Sequence, residues 1–191
     1  MGAAVKTASE RGYNQVRVFV QDESRLGLLP IVRHRITARG VQPTISSAYR
    51  FESFYLYGAV EPATGESFFL ELPCLNTNTF QIFVDELAKT FTASCHLLLL
   101  DNGAFHKAKA LVLADNLITL FLPPYSPELN PIERLWRDLK DQLAGNLPPT
   151  LEELFEQVAQ IITRYSTTDL RSLTAFSYLI EAIISANVYQ S

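Results

Sequence analysis

Cysteine is scarce in this 191-residue chain: Cys74 and Cys95 stand far apart and without a CxxC pair, which excludes a disulfide framework and a cysteine zinc site. Two free thiols in a reducing compartment are the plain reading, and a cytoplasmic location is expected. A long apolar run is also missing. The most apolar stretch, Cys95 to Leu100, stops at Asp101, far short of the roughly 20 residues that span a bilayer, so no membrane partner is expected. The opening MGAAVKTASERGYNQ has no apolar segment of signal-peptide length, and Lys6 stands where a myristoylation signal requires Ser or Thr. Internal repeats and low-complexity linkers are absent as well. What is present is hydrophobic content of 48%, enough for one substantial core.

Positive charge is in deficit, with a formal net charge of −4, and this weighs against binding a polyanion. The charge is segregated, however. From Ser24 to Phe51 there is no Asp or Glu, while Arg25, Arg33, Arg35, Arg39 and Arg50 all fall there. Such a basic stretch sets a local surface field whatever the overall sign.

The pattern along the chain predicts α/β organisation. Gln15 to Val20 alternates polar and apolar residues and reads as a strand delivering Asp22 at its C-terminal end, with a further strand beginning near Leu26. Tyr49 to Val60 and Ser67 to Leu72 flank the turn Glu61-Pro62-Ala63-Thr64-Gly65, which predicts an antiparallel hairpin. Beyond Pro73, helical spacing over Asn78 to Phe91 is followed by a strand, His96 to Leu100, then a helix, Ala104 to Ala114, and a strand, Leu117 to Leu122. Such alternation implies parallel strands joined by crossovers. Thr150 with Glu153 predicts a capping box for a helix beginning LEELFEQ, and Leu170 to Asn187 reads as one more helix. Three strands in a meander followed by helix, strand, helix, strand, helix is the order of a ribonuclease-H-like fold.

Asp22 and Asp101 both follow predicted strands, and ligands bind beyond the carboxyl ends of strands in an open α/β sheet. Two carboxylates brought together there repel unless a proton or cation intervenes, and magnesium, a hard cation preferring oxygen, is the natural bridge. Taken singly, each Asp also fits a turn residue or a helix cap. A third acid, Glu133, lies in the first turn of a helix carrying Ile132, Trp136, Leu139 and Leu143 on one face. Asn130 as N-cap, Pro131 at the first helical position and Glu133 two residues further on fit a structural cap equally well. Asn102 is a candidate for orienting a metal-bound water, with His106 one helical turn beyond it; a polar cap and an exposed histidine are the alternatives. Arg137 and Lys140 share a helical side with Glu133 and are candidates for meeting a phosphate.

Together, Asp22-Glu23-Ser24, Leu100-Asp101-Asn102 and the block PPYSPELNPIERLW resemble the catalytic domain of mariner-type transposases and their bacterial insertion-sequence relatives, enzymes of the DDE, retroviral-integrase-like kind. The resemblance runs from about Val16 to Lys140. It implies a mixed five-stranded sheet flanked by helices, an acidic triad of Asp22, Asp101 and Glu133 holding two Mg2+ ions with Mn2+ as a substitute, and double-stranded DNA as substrate. It further implies a homodimer and a DNA-contacting role for the arginine-rich stretch, including Arg25, Arg33, Arg35 and Arg39. The expected division is a lead-in over 1–15, the catalytic domain over 16–145, and a C-terminal helical extension over 146–191 packed on it. The chain departs from the family in a somewhat shorter spacing from Asp101 to Glu133. Only about fifteen residues precede the first strand, so the family's helix-turn-helix reader of transposon ends is expected to be supplied by a separate polypeptide, trimmed away or lost. The rival expectations are a nuclease of the same fold that never joins strands, and a non-catalytic interaction module.

Overall fold

The computed structural model describes residues 1–28, 52–108, 110–124, 126–144, 148–186 and 188. Five strands form one mixed sheet: β1 (Val16–Gly27), β2 (Ser53–Val60), β3 (Ser67–Leu72), β4 (Cys95–Leu100) and β5 (Leu117–Phe121), in the order β3-β2-β1-β4-β5. The β1/β2 and β2/β3 pairs are antiparallel, whereas β1/β4 and β4/β5 are parallel. Every residue of β4, CHLLLL, is buried, as an interior parallel strand covered on both faces requires.

One sheet face is covered by α2 (Thr77–Thr90), whose Phe80, Phe83, Val84 and Leu87 meet Phe19, Leu98 and Leu100. The helix starts at Asn76, whose side chain and that of Thr79 close a reciprocal capping box. The opposite face carries α1 (Gly2–Glu10), α3 (Ile132–Leu143), α4 (Leu151–Arg164), α5 (Thr167–Thr174) and α6 (Ser177–Ser185), which supply Ala4, Trp136, Val158, Leu170 and Ile183 to a second core. Helix α3 buries Ile132, Leu135, Trp136, Leu139 and Leu143, a stripe at the spacing that keeps one side of a helix inward.

Several expectations need correction. Asp22 does not end its strand, and among the described residues Leu26 belongs to the same strand, not to a second one. Pairing with β4 stops at Val20, but pairing with β2 continues to Gly27↔Ser53, because buried Ser24 and Leu26 keep alternating with exposed Arg25. The predicted helix from Ala104 to Ala114 is reduced to a single 3-10 turn over Ala104–Lys107. Beyond it, Leu111 and Leu113 turn toward the core while Val112 is 72% exposed. Gln81 of α2 holds this extended segment, accepting from the Val112 N–H at 2.8 Å and donating to its carbonyl at 2.7 Å. The helix expected over Leu170 to Asn187 is two helices. Thr174 Oγ1 bonds back to the Leu170 carbonyl and the Phe176 N–H turns to the Thr174 carbonyl, which ends the first helix at Ala175. Of the capping box expected at Thr150 one half forms, its side chain accepting from the Glu153 N–H at 3.2 Å. Helix α1 was not anticipated; its buried Ala4 and Ala8, with Arg11 bonded to the Asp115 carbonyl, dock it on the sheet. The start of the strand expected from Tyr49 lies outside the described residues.

The β2–β3 hairpin closes as predicted, through Gly65 N–H to the Glu61 carbonyl at 2.8 Å. Gly65 has φ +80, and a Cβ there would lie 1.8 Å from the Thr167 carbonyl of α5, so only glycine satisfies both the left-handed backbone and the contact.

Candidate active site

Val20↔Leu99 is the last parallel pair between β1 and β4; continuing that register sets Asp22 level with Asp101, one residue past the end of β4. Asp22 also pairs with Gly58 of β2. A Cβ on Gly58 would stand 2.6 Å from Trp136 Cη2, so the bare glycine is what admits the indole over the sheet. From that slot Trp136 Nε1 donates to Asp22 Oδ2 at 3.0 Å.

Helix α3 is seated by the residue ahead of it. Asn130 is buried and donates through Nδ2 to the Gln21 carbonyl at 2.9 Å, at the point where β1 loses its β4 partner. No side chain caps the helix, whose first flanking residue is Pro131. The expected cap of Asn130 with Glu133 is therefore not formed, and Glu133 stands exposed at the end of the helix facing β1. The structural alternative for Glu133 loses its basis.

At the other strand end, Asp101 Oδ1 accepts from the Gly103 N–H at 2.8 Å and lies 2.9 Å from His106 Nδ1. The latter is a close approach whose angle falls short of a hydrogen bond. His106 is not exposed, as the sequence alternative had it. Its side chain is 1% exposed, packs against the rings of Phe80 and Phe105, and presents Nε2 to Glu23 Oε1 at 3.2 Å. Glu23, on the opposite face of β1 from Asp22, has a side chain only 4% exposed and also accepts from Gln21 Nε2 at 2.7 Å.

Four carboxyl groups therefore share one end of the sheet. Their effect is felt most by Asp22, whose carboxyl is pushed well above its ordinary 3.8: burial is the largest cause, then the charges of Glu23 and Glu133, with a smaller push from Asp101, opposed by a hydrogen bond with the Glu23 backbone. Such a group gains from any positive charge placed beside it. Among the described residues, no three His, Cys, Asp or Glu side chains stand in a metal-ligating arrangement; Asp22 is turned to Trp136 and Asp101 to Gly103.

Asn102 spends its amide on structure, donating to the Leu122 carbonyl and accepting from Lys107, so it ties the ends of β4 and β5. Arg25 is exposed and bonds Ser53 Oγ at 3.1 Å. Arg137 is exposed and Lys140 half-buried on α3. Arg33, Arg35 and Arg39 lie outside the described residues. Sequence reasoning missed the roles of Glu23, Asn130, Gly58 and the Trp136 N–H. Only Glu23, a second acid directly after Asp22, carried a signal.

The sheet order, with an antiparallel hairpin on one side of β1 and parallel strands on the other, is a ribonuclease-H-like fold, and acids from β1, β4 and α3 gather at its strand ends. Residues 17–155 match the DDE superfamily endonuclease family. The chain belongs to that family. It is 34% identical over 110 residues to the uncharacterized protein y4pE/y4sA of Sinorhizobium fredii (strain NBRC 101917 / NGR234), covering 57% of this chain and 77% of that protein. It is 29% identical over 159 residues to the insertion element IS630 uncharacterized 39 kDa protein of Shigella sonnei, covering 75% of this chain and 43% of the relative. The fold is that of the Mos1 mariner paired end complex with Mn, with a TM-score of 0.66 at 17% identity over 100% of this chain and 62% of the Mos1 chain. The chain thus spans less than two thirds of both the Shigella protein and Mos1. No helix among the described residues is long and apolar enough to cross a membrane.

Proposed function

We propose that this chain is the catalytic domain of a DNA transposase, hydrolysing a phosphodiester bond at a transposon end and transferring the freed 3′-hydroxyl to target DNA. Asp22, Asp101 and Glu133 are its acidic triad. The observation that carries the reading is placement: the strand register sets Asp22 level with Asp101, and Asn130 seats the first turn of α3, with Glu133, on β1; carboxylates gathered there, whose charges help raise the Asp22 carboxyl, suit a hard divalent cation. Mg2+, with Mn2+ as substitute, is the cofactor proposed, as two ions held by Asp22, Asp101 and Glu133. When bound, such a pair supplies activation of the attacking oxygen and stabilisation of the leaving one.

The residues of the chain then have separable tasks. Asp22 keeps one carboxylate oxygen on the Trp136 N–H, leaving the other for a ligand. Glu133 enters from the first turn of α3, seated by Asn130 on the Gln21 carbonyl. Arg137, one helical turn beyond Glu133 and exposed, is available to a DNA phosphate, and Lys140 and Arg25 extend that basic rim. Arg33, Arg35 and Arg39 are proposed as further phosphate contacts. Double-stranded DNA is the substrate, a second copy of the chain and a helix-turn-helix polypeptide are the proposed partners, and the cytoplasm is the proposed location.

The test is cleavage of a labelled DNA duplex with Mg2+ or Mn2+ by the wild type and by Asp101→Asn. Cleavage by the wild type alone is expected; equal cleavage by both would remove Asp101 from the site. A non-catalytic interaction module predicts instead no metal dependence at all.

A further inference from the structure

We propose that His106 and Glu23 form a positioning pair that fixes the Asp101 carboxylate for its role at the metal site. The proposal rests on the triad reading above and adds residues to it. Three observations carry it. First, His106 is held in place on all sides: its ring centroid is 4.4 Å from that of Phe80 and 4.1 Å from that of Phe105, its Nε2 faces Glu23 Oε1 at 3.2 Å, and its side chain is 1% exposed. A ring so confined cannot swing away from Asp101, and its Nδ1, which makes no hydrogen bond among the described residues, stands 2.9 Å from Asp101 Oδ1. Second, Glu23 is itself fixed, with its side chain 4% exposed and Gln21 Nε2 donating to the oxygen that meets His106. A buried carboxylate is costly to keep without such partners, so Gln21 and His106 together hold Glu23 where it meets the imidazole. Third, Gly103 gives the two groups room: a Cβ there would lie 3.1 Å from Asp101 Oδ1 and 3.2 Å from His106 Nδ1, tight enough to press on both.

Asp101 needs such a support more than Asp22 does. Asp22 sits inside a strand under Trp136, whereas Asp101 lies past the end of β4 with a side chain 54% exposed, held otherwise, among the described residues, by the Gly103 N–H. A carboxylate free to rotate binds a cation less well, since its ordering must be supplied on binding. Residues that orient a ligand in this way change metal affinity by about 10- to 100-fold when removed.

The test is Mn2+ binding to the intact chain by titration calorimetry, with cleavage measured in parallel, for wild type, Asp101→Asn, His106→Phe, His106→Asn and Glu23→Gln. Phe preserves the ring contacts with Phe80 and Phe105 and Asn preserves an amide near the Nδ1 position. The expected result is a Kd for Mn2+ raised about 10-fold or more in His106→Phe, partly restored in His106→Asn, and raised in Glu23→Gln, with cleavage recovering as Mn2+ is increased. Unchanged Mn2+ affinity in both Glu23→Gln and whichever His106 variants fold would overturn the positioning role, provided Asp101→Asn does lose affinity. If the wild type binds no Mn2+, or Asp101→Asn binds as well as wild type, the triad reading itself falls and takes this proposal with it.

Discussion

Replacing Trp136 with Phe removes one defined interaction, the Nε1–H bond to Asp22 Oδ2 at 3.0 Å, and leaves the smaller ring in the slot over Gly58. A hydrogen bond to a charged group contributes about 1.5–3 kcal/mol, and the unfilled space adds about 1 kcal/mol, comparable with a small core truncation. Together they give a loss of about 3 kcal/mol in metal-free protein at pH 8. For a domain of this size that corresponds to about 6–12 °C in melting temperature. Urea unfolding followed by circular dichroism measures the free energy, and a double-mutant cycle with Asp22→Asn isolates the bond from the packing. An amide at position 22 accepts a weaker hydrogen bond, so Trp136→Phe should cost about 1 kcal/mol less in that background. If the loss is the same in both backgrounds, the indole acts on Asp22 only by filling space, and the account of how that carboxylate is oriented is wrong.

Gly65→Ala forces a Cβ within 1.8 Å of the Thr167 carbonyl at φ +80; its melting temperature should fall by more than that of Gly12→Ala, which meets open space at a similar φ, and equal losses would show that the hairpin and α5 are not in contact. His96 is buried, with its pKa lowered to about 4 by burial first and then by Arg17. The unfolded chain therefore takes up the proton first, and stability should fall as pH drops from about 6.5 toward 4, by at most about 3 kcal/mol. His96→Gln should flatten urea midpoints across that window. Asp22 has the opposite sign: its folded pKa is raised, so the folded state keeps a proton that the unfolded chain has released, and metal-free stability is lost as pH rises from near 3.8 through the raised value. Asp22→Asn should remove that loss, and millimolar Mg2+ should offset it by binding the folded state alone.

The parts of the fold legible in the sequence were those written in short-range pattern. The apolar run of β4, the 3.6-residue stripe of α3 and the Glu61–Gly65 turn each contain their own signal. Asp101 and Glu133 were legible because one follows β4 and the other lies in the first turn of α3. What the sequence hid was decided by distant partners. Nothing local tells that Gln81 holds Val112 extended across 31 residues, that β2 carries β1 past Asp22, or that Asn130 leaves its expected cap for a carbonyl 109 residues away. His106 looked like a surface residue beyond Asn102 for the same reason: its burial depends on Phe80 of α2.

The contacts of α6 bear on where this protein can be cut. Tyr178 Oη donates to the Leu129 carbonyl, just ahead of α3, and the Phe176 ring lies 4.1 Å from the Arg134 guanidinium, one residue after Glu133. A polypeptide ended at residue 155, where the family match stops, would keep Asp22, Asp101 and Glu133 and yet lose both of these ties. The triad proposed above would be complete while the helix presenting one of its members had lost its brace, so a shortened fragment that fails to cut DNA would be reporting a loosened scaffold rather than a missing acid.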